Sequence, residues 1–369
     1  MTDLARGNGD GDGRYSVAFP KQWWYPACPS KELGSKRPLA ITLMDTPLVL
    51  FRDGTGSARA LLDRCPHRNV PLSLGRVRDD GCLQCAYHGW RFNGDGGCAG
   101  IPGLADDQPT DVEVRRVDHH ATTEADGFVW VWGEAGAEPT KEPFALPVFE
   151  GPRTAETVFV YDLDSTLHSA LENALDVPHT AFLHAGLFRG GEQRDITAVR
   201  RELTDGVEVE YVGEPVGFNG IRAGQDAELT FDHWDRFFLP SIAQIEYRVK
   251  GWIHIVNTIL HLPISPFRTR AWFVVRYWTR LPAAVARPIV KLRGIQIVRQ
   301  DVKILAAQAD HVRRMGGERF TSTDLDVIGN AIWRMLRQAE RAEGTERAGA
   351  AALEGEDEEP VERTISFRA

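Results

Sequence analysis

The sequence predicts an α+β protein with an all-β domain at residues 14–145 and a second domain at residues 146–345, in which helices flank an antiparallel sheet. Short apolar segments separated by Gly, Pro and Asp fill the first region, which is typical of strands joined by turns. The second region has helical periodicity at both ends and alternating segments between them. The stretch Pro139–Pro147 is proline-rich and lacks periodicity, so it is predicted to join the two domains.

The individual elements follow from the same periodicities. In the first domain, strands are predicted at Leu39–Leu43, Leu48–Phe51, Ala58–Leu62 and Gly127–Trp132. In the second domain a helix is predicted over Thr166–Phe188. It is followed by predicted strands at Val207–Val212, Ala243–Val249, Ile253–Leu262 and Ala271–Trp278, and by helices at Ile289–Gln308 and Leu325–Arg341.

Both ends of the chain have the composition of disordered segments. Residues 1–13 contain four Gly and three Asp and little apolar surface to offset the entropy of ordering, so we expect a disordered lead-in. Residues 346–369 include the acidic run Glu354–Glu359 and are predicted to form a mobile tail.

Charge and hydropathy argue against two classes of protein. The 52 acidic and 43 basic side chains give a net charge of -9, which disfavours a nucleic-acid binder whose affinity rests on neutralised phosphates. No apolar stretch reaches the roughly 18 residues that a membrane helix needs, and the N-terminus lacks an apolar signal core. The sequence therefore predicts a cytoplasmic protein without a membrane span.

Two cysteines and two histidines form the first candidate metal site. Cys65 and His67 form a Cys-x-His pair, and Cys85 and His88 form a Cys-x-x-His pair. Each pair offers one thiolate and one imidazole, which fits a binuclear iron-sulfur centre with both cysteines on one iron and both histidines on the other. A Cys₂His₂ zinc site is the alternative, although the first spacing is tighter than zinc-binding hairpins commonly use.

The residues around these ligands resemble a known cluster-binding domain. Arg64-Cys-Pro-His-Arg68 and Cys85-Ala-Tyr-His-Gly-Trp90 together resemble the Rieske [2Fe-2S] domain of the Rieske-type non-haem iron oxygenases. Such clusters also serve electron-transfer proteins that carry out no oxygenation. The second domain must therefore decide between an electron carrier and an oxygenase.

A dense polar motif in the second domain is the second candidate metal site. Asn173, Asp176 and His179 recur at every third residue and would share one face of a helix. His184 would lie about 140° from His179 on an ideal helix, so joint binding of one metal requires a broken or π-like helix, for which Pro178 gives a local reason. The alternative is a helix whose histidines are satisfied by hydrogen bonds.

The pattern N-x-x-D-x-x-H-x₄-H after a Rieske motif resembles the catalytic-domain signature of the same oxygenases. This resemblance implies that His179 and His184 bind a mononuclear Fe(II) and that a carboxylate on a late helix is the third ligand. Two imidazoles and one carboxylate leave positions open for dioxygen. Asp301 is the candidate because it lies on an otherwise apolar helical segment, and Asp310 is the nearest rival.

The resemblance assigns a different role to Asp176. In the family the matching Asp hydrogen-bonds a ligand histidine and, across a subunit boundary, a cluster-ligand histidine of a neighbouring chain. Carried over, this pairs Asp176 with His179 and with His88 of another protomer, and implies a homotrimer. Asn173, on the same predicted helix face, is placed with Asp176 in the candidate catalytic set.

The resemblance extends from Trp23 to about residue 340 and is nearest in pattern to the group that includes vanillate O-demethylase, pheophorbide a oxygenase and aminopyrrolnitrin oxygenase. It implies a helix-grip catalytic domain in a terminal oxygenase that hydroxylates or oxidatively demethylates a hydrophobic ring compound, whether aromatic, polycyclic or sterol-like. Its electrons would come from a separate NAD(P)H-dependent reductase or ferredoxin, because no GxGxxG motif follows a strand here. A Rieske electron-transfer protein without oxygenase activity is the alternative.

Overall fold

The computed structural model describes residues 14–105, 108–151, 153–185, 187, 193–214, 217–218, 221–222, 231–347 and 361–368. The chain divides into two compact units, of which the first is Pro20–Ala145 and the second combines the segment that ends at Phe19 with the residues from Leu146 onward. The predicted lead-in, residues 1–13, lies outside the described residues.

Residues 14–19 correct the predicted domain organisation. The sequence analysis placed them in the first domain, but the division into compact units places them in the second. The Ser16 backbone N–H donates to the Glu318 carboxylate at 2.8 Å, and the Phe19 N–H donates to Glu340 at 2.9 Å. Backbone groups held by carboxylates about three hundred residues away leave no periodic signal in the local sequence.

Three small antiparallel sheets build the described part of the first unit, which omits residues 106–107. Their strand orders are β1-β11-β10, β2-β3-β4-β9 and β5-β6-β7-β8. The strands are β1 (Trp24–Pro29), β2 (Leu39–Leu43), β3 (Thr46–Arg52), β4 (Ala58–Leu62), β5 (Arg76–Val77), β6 (Leu83–Gln84), β7 (Arg91–Phe92), β8 (Cys98–Gly100), β9 (His119–His120), β10 (Thr122–Ala125) and β11 (Phe128–Trp132). The four predicted strands are confirmed, and short 3-10 turns lie at Ser30–Glu32, Leu72–Leu74 and Glu113–Arg115.

An eight-stranded antiparallel sheet dominates the second unit, in the order β12-β20-β19-β18-β17-β14-β13-β21. A separate two-stranded ribbon pairs β15 with β16. The strands are β12 (Thr154–Leu163), β13 (Gln193–Leu203), β14 (Gly206–Val212), β15 (Gly217–Phe218), β16 (Ile221–Arg222), β17 (Phe231–Phe238), β18 (Ile242–Val249), β19 (Ile253–Ser265), β20 (Arg268–Thr279) and β21 (Val361–Arg368). The predicted α+β class, with an all-β unit before an antiparallel sheet and helices, is confirmed.

Among the described residues, four helices accompany this sheet: α1 (Leu167–Leu175), α2 (Thr180–Leu183), α3 (Ala283–Arg314) and α4 (Gly329–Arg347). One apolar core joins sheet and helices, with Phe237 and Ile259 from strands, Leu171 from α1, Leu305 from α3 and Ile332 from α4. Burial of these faces is the main stabilising contribution, since each fully buried large apolar side chain contributes roughly 2 kcal/mol. No helix in the described part of the chain is both long and apolar enough to span a membrane.

The predicted mobile tail is wrong for Val361–Arg368. These residues form β21, whose backbone pairs antiparallel with β13 from Gln193↔Arg368 to Arg200↔Val361. The run Val-Glu-Arg-Thr-Ile-Ser-Phe-Arg alternates in the manner of a strand, but its partner lies more than 160 residues earlier and the neighbouring acidic run masks it. Residues 348–360, with that acidic run, lie outside the described residues.

A buried ionic cluster interrupts the helix-facing side of the sheet. The ring of His233 lies between two carboxylates, with Nδ1 2.6 Å from Glu214 and Nε2 3.0 Å from Asp235, and all three side chains are buried. Burial opposes the charged imidazolium, but the two carboxylates outweigh it and raise the pKa of His233 to about 9. Both nitrogens can therefore donate to carboxylates at neutral pH.

Because of this cluster, the stability of the protein is expected to decrease at alkaline pH. Because the folded-state pKa of His233 lies above its ordinary value of 6.5, its contribution is present in full below pH 6.5 and is lost as the pH rises through about 9. We expect the free energy of unfolding, measured with urea, to fall by a few kcal/mol across this window in the wild type and much less in His233→Gln. His254→Gln, at a half-exposed pair with Glu246, is the control and should retain the fall. A wild-type free energy that is flat across the window would contradict the protonated cluster.

Candidate metal centres

Two loops of the same construction present the four candidate cluster ligands. Each loop has six residues and begins with its Cys, whose backbone N–H donates to the carbonyl of the sixth residue. These bonds join Cys65 to Val70 at 2.9 Å and Cys85 to Trp90 at 2.8 Å. The fifth residue of each loop returns its own N–H to the carbonyl of that Cys. This fifth residue has a left-handed backbone in both loops, with φ of 60° at Asn69 and 73° at Gly89. The two loops are therefore equivalent frames, although their histidines stand at different offsets.

The four side chains converge within the first unit. Cys65 and Cys85 belong to one buried cluster of apolar residues, and the ring centroids of His67 and His88 are 4.5 Å apart. The Trp90 ring stacks on His67 with the centroids 4.8 Å apart and the planes 7° from parallel. The indole therefore fixes the plane of one imidazole, while His88 lies on the exposed side beside Tyr87.

The chemistry of this set fits a bound [2Fe-2S] cluster. Burial raises the pKa of Cys65 to about 11, with a further rise from the Cys85 thiol, while the backbone N–H groups of His67 and Arg68 favour the thiolate. Two buried thiolates need a nearby cation, which iron would provide. The Nδ1 of His67 is buried and has no hydrogen-bond partner among the described residues, as expected of an atom placed to bind a metal. Burial, His88 and Arg68 lower the pKa of His67, which keeps its imidazole in the neutral, ligating form.

The second candidate centre depends on a broken helix. Thr166 caps α1 by accepting the Ser169 N–H at 3.0 Å, but α1 ends at Leu175 instead of continuing to Phe188. Pro178 disfavours helical backbone in the residue before it, so the chain leaves the helix and re-enters a single turn, α2. The helix break that joint binding by His179 and His184 requires is therefore present.

Three ligand atoms meet at this break. The Nε2 atoms of His179 and His184 are 3.3 Å apart, and Asp301 Oδ1 lies 3.7 Å from the first and 3.1 Å from the second. Ligands that are mutually cis on a metal with bonds of about 2.1 Å are separated by about 3 Å, so these distances fit one ion bound on one face. Asp301 Oδ1 is buried, and apart from its approach to the two histidine nitrogens it has no hydrogen-bond partner among the described residues. In the described part of the chain, these three side chains form a group whose ligand atoms all lie within 4.8 Å of one another, close enough to hold one metal ion.

Each histidine is oriented by a contact on its other nitrogen. The Nδ1–H of His179 donates to Asp176 Oδ2 at 3.2 Å, and the Nδ1–H of His184 donates to Gln300 Oε1 at 2.8 Å. Both contacts place the proton of the neutral ring on Nδ1, so Nε2 is the nitrogen that faces the metal position. Burial works against the imidazolium of His184, but Asp301 and Gln300 together raise the pKa of His184 above its ordinary value.

The other predicted site residues divide into two groups. Asp310 does not join the site, because its carboxylate is exposed and pairs with Arg314 at 2.7 Å. Asn173 lies half-buried on α1 and has no hydrogen bond to the three ligand side chains within the described residues. Sequence reasoning missed the roles of Gln300 and His233. The adjacent Gln300-Asp301 pair on one predicted helix was the available signal for Gln300.

Gln300 provides a prediction at this site. In Gln300→Leu, the His184 ring loses the acceptor that orients it, so we expect Fe(II) affinity to fall by about 10- to 100-fold while the visible spectrum of the cluster is unchanged. Competition with a chelator measures the affinity. Gln308→Leu, an exposed glutamine on the same helix, should bind Fe(II) like the wild type. Equal affinities of wild type and Gln300→Leu would exclude the orienting role.

Two loops with candidate cluster ligands in an all-β unit, followed by a His₂Asp group at the helices of an α+β unit, are the arrangement of a protein with two iron centres. Residues 23–117 match the family of Rieske [2Fe-2S] domains. Residues 163–342 match the family described as the vanillate O-demethylase oxygenase C-terminal domain. The chain belongs to the Rieske-type non-haem iron oxygenases. The cofactors of this family are a Rieske [2Fe-2S] cluster and a mononuclear iron, both of which the residues fit.

Individual relatives agree with this assignment. Chloroplastic pheophorbide a oxygenase of Oryza sativa subsp. japonica is 37% identical over 170 residues, which cover 44% of this chain and 32% of the relative. The oxygenase component of dicamba O-demethylase from Stenotrophomonas maltophilia is 37% identical over 172 residues, 46% of this chain and 48% of the relative. The chain spans about a third of the length of the plant relatives it matches.

A solved structure shows the same fold. Dicamba monooxygenase bound to 3,6-dichlorosalicylic acid superposes with a TM-score of 0.73, covering 89% of this chain and 99% of that chain at 23% identity. At this identity the likeness supports the fold alone, and the chemistry rests on the residues of this chain.

Proposed function

We propose that this chain is a terminal oxygenase in which the bound Rieske cluster supplies electron transfer and the bound mononuclear iron supplies activation of O₂. The observation that carries the proposal is the group formed by His179, His184 and Asp301. These residues offer three ligand atoms on one face of a metal position, and three ligands fill only half of an octahedral ion's six positions. A structural metal site would instead close the coordination sphere with protein ligands.

The cluster ligands are assigned as Cys65, Cys85, His67 and His88. The two buried thiolates would hold one iron and the two imidazoles the other, with the histidines nearer to solvent. Neutral imidazoles lower the negative charge around the cluster and raise its reduction potential relative to an all-cysteine site. This makes the cluster able to accept electrons from a low-potential donor.

Asp176 is assigned a positioning role. Its carboxylate holds the Nδ1–H and also accepts the backbone N–H of His179, both at 3.2 Å, so the ring and the chain around it are fixed together. We further assign Asp176 a contact with His88 of another protomer, within a homotrimer. Asn173, which lies on α1 three residues before Asp176, remains in the predicted catalytic set.

The proposed substrate is a hydrophobic ring compound, hydroxylated or oxidatively demethylated. Relatives named for O-demethylation and for oxygenation of pheophorbide a support this class. Demethylation of an aryl methyl ether balances when O₂, two electrons and two protons yield the phenol, formaldehyde and water. The electrons come from a separate NAD(P)H-dependent reductase or ferredoxin, which the name "oxygenase component" of the dicamba relative also favours. A cytoplasmic location remains the prediction from the sequence.

Reconstitution tests this function against the electron-carrier alternative. The iron-loaded protein is supplied with NADH, a ferredoxin and its reductase, and a panel of methoxylated and unsubstituted ring compounds, while O₂ uptake, formaldehyde and hydroxylated products are measured. The oxygenase account predicts product formation with at least one ring compound, in proportion to the O₂ and electrons consumed. It also predicts that His179→Ala abolishes product while the cluster still accepts electrons. A reducible cluster with equal O₂ consumption in wild type and His179→Ala, and no product in either, would support the electron carrier.

A further inference from the structure

The first half of α3 carries a row of exposed aliphatic side chains. Val285, Ile289 and Leu292 are 48%, 50% and 68% exposed, and on an ideal helix they lie within about 60° of one another. Leu281, just before the helix, is 49% exposed. One flank of this segment is covered, since Ala286, about 90° from the centre of the row on an ideal helix, is buried with Tyr277 in a small core cluster. Large aliphatic groups aligned in water indicate a surface that something else covers.

An exposed tryptophan extends this row. Trp252 lies in the turn between β18 and β19 and is 42% exposed. Its carbonyl accepts the Arg280 N–H at 3.2 Å, and the Arg280 guanidinium carbon lies 4.5 Å from the centre of its ring. Because Arg280 precedes Leu281 directly, these contacts place the indole beside the start of the helix row. We call this surface the α3 patch, made of Trp252, Leu281, Val285, Ile289 and Leu292.

The charged residues in the chain segment that carries the helix row are all basic. Between Thr279 and Gln300 the chain has no Asp or Glu but has Arg280, Arg287, Lys291, Arg293 and Arg299. In the described part of the chain, Arg287, Lys291 and Arg293 pair with no carboxylate, and all three are exposed. On an ideal helix Lys291 and Arg293 stand on opposite sides of the aliphatic row. A positive surface of this kind stands out in a chain whose net charge is -9.

We propose that the α3 patch rests on the surface of a membrane that contains anionic lipids, with α3 lying parallel to that surface. Aliphatic side chains and a tryptophan with Lys and Arg beside them are the composition of segments that bind in the headgroup region. The lysine and arginine stems reach past the apolar row, so their charges meet phosphates while the row enters the acyl boundary. The proposal is independent of the oxygenase chemistry.

Flotation of the iron-loaded protein with lipid vesicles tests this proposal. The vesicles contain phosphatidylcholine alone or phosphatidylcholine with phosphatidylglycerol. We expect the wild type to float with the anionic vesicles and to be released by high salt, because the contact is partly electrostatic. Ile289→Ser/Leu292→Ser and Lys291→Gln/Arg293→Gln should each weaken binding by about tenfold or more. Val114→Ser, which removes an 85%-exposed aliphatic side chain outside the patch, is the matched control and should bind like the wild type.

Two outcomes would overturn the proposal. The first is a wild type that fails to float, or that floats equally with neutral and anionic vesicles. The second is an Ile289→Ser/Leu292→Ser variant that floats like the wild type but has a lower molecular mass by light scattering, which would make the patch an interface between copies. An unchanged circular dichroism spectrum and an unchanged mononuclear iron content in every variant show that the second unit, which carries the substitutions, remains folded.

Discussion

Replacement of Asp301 by Ala is expected to abolish substrate oxidation and leave the visible spectrum of the Rieske cluster unchanged. Asp301 Oδ1 is the atom that completes the group with His179 and His184, at 3.7 and 3.1 Å. Without it the site loses its carboxylate ligand and the charge that balances a divalent metal. We expect product formation to fall by about a thousandfold or more, because the metal's contribution to the barrier amounts to several kcal/mol.

Asp310→Ala is the matched control for this variant. Asp310 lies on the same helix, but its carboxylate is exposed and pairs with Arg314. Iron analysis should show about one iron fewer per chain in Asp301→Ala and no change in Asp310→Ala. Full activity in Asp301→Ala, or loss of the cluster spectrum in that variant, would contradict the assignment of a separate mononuclear site.

Replacement of Cys65 by Ser is expected to remove the colour of the protein and destabilise the first unit. Cys65 is 2% exposed and lies in the same buried cluster as Cys85 and Leu72. A hydroxyl there does not ionise near neutral pH, so the cluster loses a ligand and the core gains a buried polar group. We expect about two irons and all acid-labile sulfide to be lost, with the mononuclear iron retained.

Cys98→Ser separates ligand loss from core damage. Cys98 is 1% exposed in the same buried cluster, and no ligand role is assigned to it. This variant should keep its colour and its sulfide, and should be destabilised only by the buried hydroxyl. A colourless Cys98→Ser, or a coloured Cys65→Ser, would contradict the ligand assignment. His184→Ala should keep its colour, because His184 belongs to the second centre.

Local patterns in the sequence predicted most of the fold and the candidate ligand residues. Strands with clear alternation, such as Ala243–Val249, and the long late helix were predicted because their apolar residues recur with the period of the element. β17 was missed because its helix-facing side carries His233 and Asp235, which interrupt the apolar alternation. The ends of the chain were misjudged because Ser16 and β21 are held by contacts with distant segments.

The geometry of the two candidate centres needed the structure. The spacings Cys-x-His and Cys-x-x-His differ, and only the backbone shows that both belong to one six-residue loop with a left-handed fifth residue. The contact between His184 and Gln300 joins side chains 116 positions apart, so neither residue's neighbours contain a sign of it. Resemblance to a family assigned the [2Fe-2S] cluster to the Cys/His motif and Fe(II) to the histidine motif of the second domain. Distances between atoms then favoured Asp301 over Asp310 as the third Fe(II) ligand.

Metal and sulfide content of anaerobically purified protein, with its visible spectrum, tests the central claim of two iron centres most directly. The account predicts about three irons and about two acid-labile sulfides per chain, with Rieske-type absorption. If only about two irons are found, addition of Fe(II) should restore the third in the wild type but not in Asp301→Ala. Zinc without sulfide, in a colourless protein, would contradict both the cluster and the proposed oxygenase.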